Sequence, residues 1–77
     1  MSRIFTGAGT TALIIEETSE GWFLYSFRDN GFMGDTWHPS IAEAKEQAGQ
    51  YFGKNSTPIW RSVPESVTDL ADFARKL

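Results

Sequence analysis

The sequence predicts an α+β domain. An antiparallel β-sheet carries two helices on one face, a two-layer arrangement in the order β-β-β-α-β-α. Three stretches carry this reading. The run Trp22-Phe23-Leu24-Tyr25-Ser26-Phe27 is rich in β-favouring residues and leads directly into Asp29-Asn30-Gly31. Asn-Gly tolerates positive φ at both centre positions of a tight hairpin, so Phe32 to Trp37 reads as the returning strand. Ser40-Ile41-Ala42-Glu43 has capping-box spacing and opens a run of good helix formers that reaches Gln50. Val67, Leu70, Ala71, Ala74 and Leu77 recur at helical spacing, with Phe73 at the margin, and define a second helix.

In chain order, Ser2 to Phe5 reads as a short strand or an ordered arm, and Thr6-Gly7-Ala8-Gly9-Thr10 as a break. Thr11 to Thr18 is β-rich and holds Leu13, Ile14 and Ile15 in succession. A consecutive apolar run means a strand buried on both faces, or one face buried and the other in an interface. Thr18-Ser19-Glu20-Gly21 is short enough to be a hairpin turn. On the next strand Phe23, Tyr25 and Phe27 share one face, and Trp22, Leu24 and Ser26 share the other. Ile41, Ala44, Ala48 and Tyr51/Phe52 form the apolar stripe of the first helix, with Gly53 as its expected positive-φ stop. Lys54 to Pro58 is a loop. Ile59 to Val63, flanked by Pro58 and Pro64, reads as an edge strand. The last helix is expected to begin at Ser66, with Asp69 three residues on. Arg75 and Lys76 in its final turn suit the helix dipole. If the helices cover Phe23, Tyr25 and Phe27, then Trp22 and Leu24 point outward, and Trp60 or Trp37 with them.

With 77 residues, the chain reads as one domain, 1–77. A chain of this size buries only roughly 60% of its unfolded surface. It has no cysteine, so disulfides are excluded as staples. The remaining routes to stability are dense aromatic packing and oligomerisation. Three Trp, six Phe and two Tyr supply the first. The net charge is −3 and the seven basic residues are scattered, which argues against binding a phosphate backbone. No apolar run approaches the roughly 20 residues that span a bilayer. Met1-Ser2-Arg3-Ile4-Phe5 lacks the apolar core of a signal peptide. Together these place the chain in the cytoplasm, away from membrane and nucleic acid.

Tested motif by motif, the chemistry is thin. Gly7-Ala8-Gly9 lacks the third glycine and following helix of a dinucleotide fingerprint and reads as plain loop. His38, the one histidine, has Asp35 and Ser40 nearby. Residues so close on a strand end seldom achieve triad geometry, and local packing or capping is the better reading. One histidine without cysteine makes a zinc site unpromising. Asn55-Ser56-Thr57 matches a glycosylation sequon, a pattern too common to carry weight. Glu16, Glu17 and Glu20, joined loosely by Asp29 and Asp35, form an acidic cluster. It reads as a solvated strand end or as a docking site for a basic partner. Trp is mostly buried in proteins, yet it is enriched with Tyr and Arg at interface hot spots. Core packing is favoured for Trp37, whereas Trp22 and Trp60 are open between the two roles. Trp60-Arg61 on an edge strand fits a hot spot, and an edge strand invites pairing with another chain.

The segment Gly34-Asp35-Thr36-Trp37-His38, followed by Glu43-Ala44, is similar to small uncharacterised bacterial proteins in which a hairpin ends in this pattern before a short Ala/Glu-rich helix. The likeness spans roughly Gly21 to Phe52, and no activity comes with it. More distantly the same residues resemble the HicB-like antitoxin domain, with its aromatic hairpin, Gly-Asp-Thr and helix opening in Glu-Ala. The chain departs from that family in a longer spacer, Trp37 to Ala42, and in having no Pro-containing stretch before Gly-Asp-Thr. It also has no helix-turn-helix segment and no basic tail. The resemblance implies a related β-β-α-β shape more than a toxin partner.

The function expected is a non-enzymatic protein-interaction module, self-associating as a homodimer or binding a partner. Trp22, Leu24, Trp60 and Arg61 are its contact residues, and no cofactor or metal is called for. The alternative is an antitoxin-like inhibitor that masks a basic surface with Glu16, Glu17, Glu20 and Asp35. A third reading, a small hydrolase using His38 and Asp35, needs a concave pocket that so short a chain has little volume to build.

Overall fold

Four strands follow one another in the first half of the chain: β1 (Arg3–Ala8), β2 (Thr11–Thr18), β3 (Gly21–Arg28) and β4 (Gly31–His38). Each pairs antiparallel with the next across two connecting residues, the commonest hairpin length. In this computed structural model, which describes residues 2–29, 31–53 and 57–77, α1 (Ile41–Ala48) comes next and runs into a 3₁₀ turn (Gly49–Tyr51). The two-residue β5 (Arg61–Ser62) and α2 (Leu70–Arg75) complete the order. β5 pairs antiparallel with β1, giving a five-stranded sheet of order β4-β3-β2-β1-β5.

The α+β class and the antiparallel sheet are as the sequence predicts, but the helices are distributed differently. The expected two-layer arrangement put both on one face, whereas α1 and α2 lie on opposite faces. Leu13, Ile15 and Leu24 pack with Ala44 and Ala48 of α1, and Ile4, Trp22, Tyr51, Phe52 and Trp60 flank them. Ala12, Ile14 and Phe27 pack with Ala74 of α2 and Val63, beside Phe5, Tyr25, Val67, Leu70 and Phe73. The cause is in β2. Leu13, Ile14 and Ile15 are each fully buried, and consecutive strand residues face opposite ways. Such a strand needs apolar cover on both sides, each side chain contributing roughly 1.5–3 kcal/mol. Two short helices on one face would leave Leu13 and Ile15, or Ile14, in water.

β1 is longer than the expected Ser2–Phe5 strand because Thr6, Gly7 and Ala8 continue the ladder, opposite Leu13, Ala12 and Thr11. The break is confined to residues 9–10. The hairpin expected at Asp29-Asn30-Gly31 forms, with Asp29 at φ 52°; Asn30 itself lies outside the described residues. So do Lys54, Asn55 and Ser56, and with them most of the loop and the sequon.

Helix boundaries also shift. Ser40 caps α1 as predicted, its Oγ accepting the Glu43 amide at 3.2 Å. The helix tightens to 3₁₀ at Gly49, whose φ is −58°, so it ends ahead of the expected stop at Gly53. α2 starts at Leu70, with Asp69 as its cap, where the sequence pointed to Ser66. Arg3 explains the delay. Its guanidinium donates to the carbonyls of Val67 at 2.7 Å and Pro64 at 3.1 Å. A helix through Ser66 would need Val67's carbonyl for its own ladder. Arg3 instead pins the 63–68 connector to the sheet, and Phe5 meets Phe73 edge-on at 4.9 Å.

Candidate functional site

β5 and β4 are the two edges of the sheet, and they differ greatly. β5 offers two residues. β4 offers eight, with no strand beyond it among the described residues, and it alternates little between buried and exposed. An edge of that length presents a row of backbone N–H and C=O groups to any extended chain that approaches. Phe32, Met33 and Trp37, three large apolar residues of β4, are 59%, 50% and 52% exposed.

Behind the edge lies an aromatic strip. On the α2 side of the sheet, Trp37 stands directly opposite Phe23, and Asp35 opposite Tyr25. Glu16 of β2 stands opposite Phe23 on the other flank. α2 covers the Ala12, Ile14 and Phe27 part of this face, and Tyr25 touches that core. Phe23 and Trp37 belong to neither core cluster. Phe23 and Tyr25 stack at 6.2 Å with planes 13° apart, and Phe32 meets Phe27 at 5.6 Å. The strip is held in place. The Trp37 indole N–H donates to the Glu20 carbonyl at 2.9 Å, and the Tyr25 hydroxyl donates to Glu16 Oε1 at 2.9 Å. A bulge interrupts the β3–β4 ladder: Phe27 faces Phe32 and Ser26 faces Gly34, which leaves Met33 unpaired.

The expected contact residues fall elsewhere. Leu24 is buried beneath α1, and Trp22 is half-buried in the same cluster, so the expectation that both point outward is corrected. The reason is the second covered face. Trp60 is half-buried against the α1 cluster, while Arg61 is exposed on β5. Trp37, expected in the core, is the most exposed of the three tryptophans. The acidic group divides. Glu16 and Asp35 share the face of the aromatic strip, and Glu20 sits in the turn whose carbonyl holds Trp37. Glu17 faces the other way and accepts the Ser2 amide at 3.1 Å.

His38, Asp35 and Ser40 are not brought together. Asp35 is one step out of phase with Thr36 and His38 along β4, which puts it on the other face. His38 Nε2 lies 2.7 Å from Thr36 Oγ1, and Ser40 Oγ is engaged as the α1 cap. His38 borders an open groove with Pro39, Glu43, Glu46, Gln47 and Gln50, and Asp35 takes no part in it. Among the described residues, no group of three or more His, Asp or Glu is placed to hold a metal ion. No helix among them is long and apolar enough to cross a membrane.

No protein-family model, curated protein or solved structure matches the chain. The surface must therefore be read from its own chemistry.

Tyr25 gives that chemistry a titratable marker. Burial first, then its hydrogen bond to Glu16 and the nearby carboxylates of Glu16 and Asp35, push the phenol from 10.0 up to about 12. The folded state thus favours the neutral phenol. The stability this confers is complete below pH 10 and declines as pH rises through 12. An ultraviolet titration will show one phenol ionising near pH 12, and Glu16→Gln will move that step towards the ordinary tyrosine value. A step that stays put in the variant would mean that the hydrogen bond is not formed.

Sequence reasoning missed Phe32 and Met33 as surface residues and favoured the core for Trp37. A signal was available in β4, where Gly34-Asp35-Thr36 interrupts the apolar residues in mid-strand. A central strand rarely tolerates that, and an edge does.

Proposed function

We propose that the chain is a non-enzymatic protein-interaction module that binds through the outer edge of β4 and the aromatic strip beside it. One observation carries this reading: an eight-residue edge strand whose Phe32, Met33 and Trp37 are half or more exposed, although the chain has apolar cores on both sides of its sheet. Exposed aromatics next to an open backbone edge are what strand-addition interfaces use. The surface first expected, at Trp22, Leu24, Trp60 and Arg61, gives way to this one because three of those four side chains pack against α1.

The test is affinity capture with the tagged chain from an extract of its host, comparing wild type with a Phe32→Ser/Trp37→Ser double variant. The protein retained by the wild type is expected to be lost from the double variant, which stays folded during capture although it unfolds roughly 10 °C lower. Trp22→Ser and Trp60→Ser are expected to lower the unfolding temperature. Equal retention by wild type and double variant would remove β4 as the binding surface.

A second reading, an antitoxin-like inhibitor that masks a basic surface, is favoured by the gathering of Glu16, Glu20 and Asp35 around the strip. Glu17, on the opposite face, has no part in it.

A further inference from the structure

We infer that the occupant of the β4 edge is an extended segment of a basic protein, with Lys or Arg at alternate positions, and not a second copy of this chain. The inference rests on the reading of β4 as a binding edge and adds the chemistry of what binds.

A strand added beside β4 sends every second side chain to the α2 side of the sheet. There its residues come to lie beside Asp35 and Trp37, which are two positions apart, with Cβ separations of about 5 Å to the residues directly opposite. One neighbour is an exposed carboxylate and the other an exposed indole, so a cation suits both places. Opposite Asp35 it forms an ion pair. Opposite Trp37 it lies over a ring, an attraction of about 0.5–1 kcal/mol at exposed sites and more when water is excluded. Phe23 and Tyr25 extend the ring surface inward, and Glu16 closes it with a second carboxylate. Tyr25's proton is turned towards Glu16, which leaves its ring as part of the floor.

Among the described residues, no cation is paired with Asp35 or Glu16. Asp35 is the one charged residue of β4, and the ion pairs among the described residues are those of Asp72 with Arg75 and Lys76. The net charge of −3 adds a favourable long-range field for a basic partner.

The same features work against a second copy. The two registers that pair the most residues of two antiparallel β4 edges, with their α2 sides aligned, centre on Asp35 or Gly34. The first register sets Asp35 against its own copy, and like charges directly opposite destabilise a ladder. The second sets Asp35 against Met33, which is out of the ladder at the bulge. Charge and bulge on an edge are the usual means by which sheets avoid pairing with themselves. A basic strand turns the repulsive element into an attractive one, which is how an interface selects between partners.

The test follows the backbone amides of the full chain by NMR during titration with synthetic peptides of about ten residues. One peptide alternates threonine with lysine and the other threonine with glutamate, each at about 20 mM and about 500 mM salt. The lysine peptide is expected to shift the resonances of residues 31–38, and the glutamate peptide to leave them in place. Raising the salt is expected to weaken binding about tenfold, and Asp35→Asn about fivefold. N-methylation of alternate peptide amides on the pairing edge is expected to abolish the shifts, which marks them as strand addition. Equal shifts from both peptides would overturn the charge preference and leave β4 as a binding edge. Shifts in 31–38 that grow with protein concentration alone would make the occupant a second copy. No shift under any condition would overturn the inference, while the capture experiment independently decides whether β4 binds a protein at all.

Discussion

Replacing Leu24 with alanine will lower the unfolding free energy by about 3 kcal/mol. For a domain of this size, that is a fall of roughly 15 °C in unfolding temperature. Leu24 is 3% exposed and sits between Ile15 and the Ala44–Ala48 face of α1. Its removal takes away both the transfer free energy of the side chain and the contacts around the resulting cavity. Helix α1 cannot collapse into the gap freely, because Ser40 at one end and the 3₁₀ turn at the other fix its position. Trp37→Ser removes a larger side chain, yet its cost is expected to stay near 1 kcal/mol, since half of that surface is already in water. The two variants would rank oppositely if Leu24 pointed outward and Trp37 packed in the core. Chemical denaturation of both decides between the two placements. A Leu24→Ala cost below that of Trp37→Ser would place α1 on the wrong face.

The strand periods, the Asn-Gly hairpin and the Ser40 cap were legible because each is a local property of a few adjacent residues. Which face a helix covers is not local. It depends on how the chain enters α2, and residues 64–67 of that approach are held by Arg3, 64 positions from the Val67 carbonyl it binds. No window on the sequence relates those two residues. One pattern did contain the answer. Leu13-Ile14-Ile15 is a two-faced core strand, and taken literally it demands a helix on each side. Two helices on the aromatic face would leave the other face bare and make Trp22 and Leu24 surface residues. With α1 on one face and α2 on part of the other, the free surface is the longer edge, β4, and the uncovered aromatic strip beside it. The exposure of Trp37 was hidden for a further reason. Its indole is held by the Glu20 carbonyl, a partner in the β2–β3 turn that only the sheet register brings near. That bond satisfies the indole N–H while leaving about half of the residue in water.

The position that couples stability to the proposed binding surface is Gly21. Its φ is +137°, a conformation that side-chain-bearing residues rarely adopt. A Cβ there would lie 2.5 Å from Trp37 Nε1, 2.8 Å from Trp37 Cε2 and 3.0 Å from the His38 carbonyl oxygen. Gly21→Ala therefore combines backbone strain of about 1–3 kcal/mol with expulsion of the indole from its seat. The indole can swing away, as an exposed ring on a flexible side chain, but the His38 carbonyl belongs to the neighbouring strand and cannot. A net loss of about 3 kcal/mol is expected. Gly34→Ala separates the two contributions. Gly34 also has a left-handed φ, +154°, but its added Cβ would meet nothing within 4 Å, so it carries strain alone and is expected to cost about 1 kcal/mol. Denaturation gives the difference, and the indole N–H resonance of Trp37 shows its origin. In Gly21→Ala that proton should exchange quickly with water and lose its hydrogen-bonded shift, whereas in Gly34→Ala it should remain protected. Equal costs for the two variants, with the indole still protected in both, would mean that Gly21 is required for its backbone conformation alone and that Trp37 is positioned by something other than the β2–β3 turn.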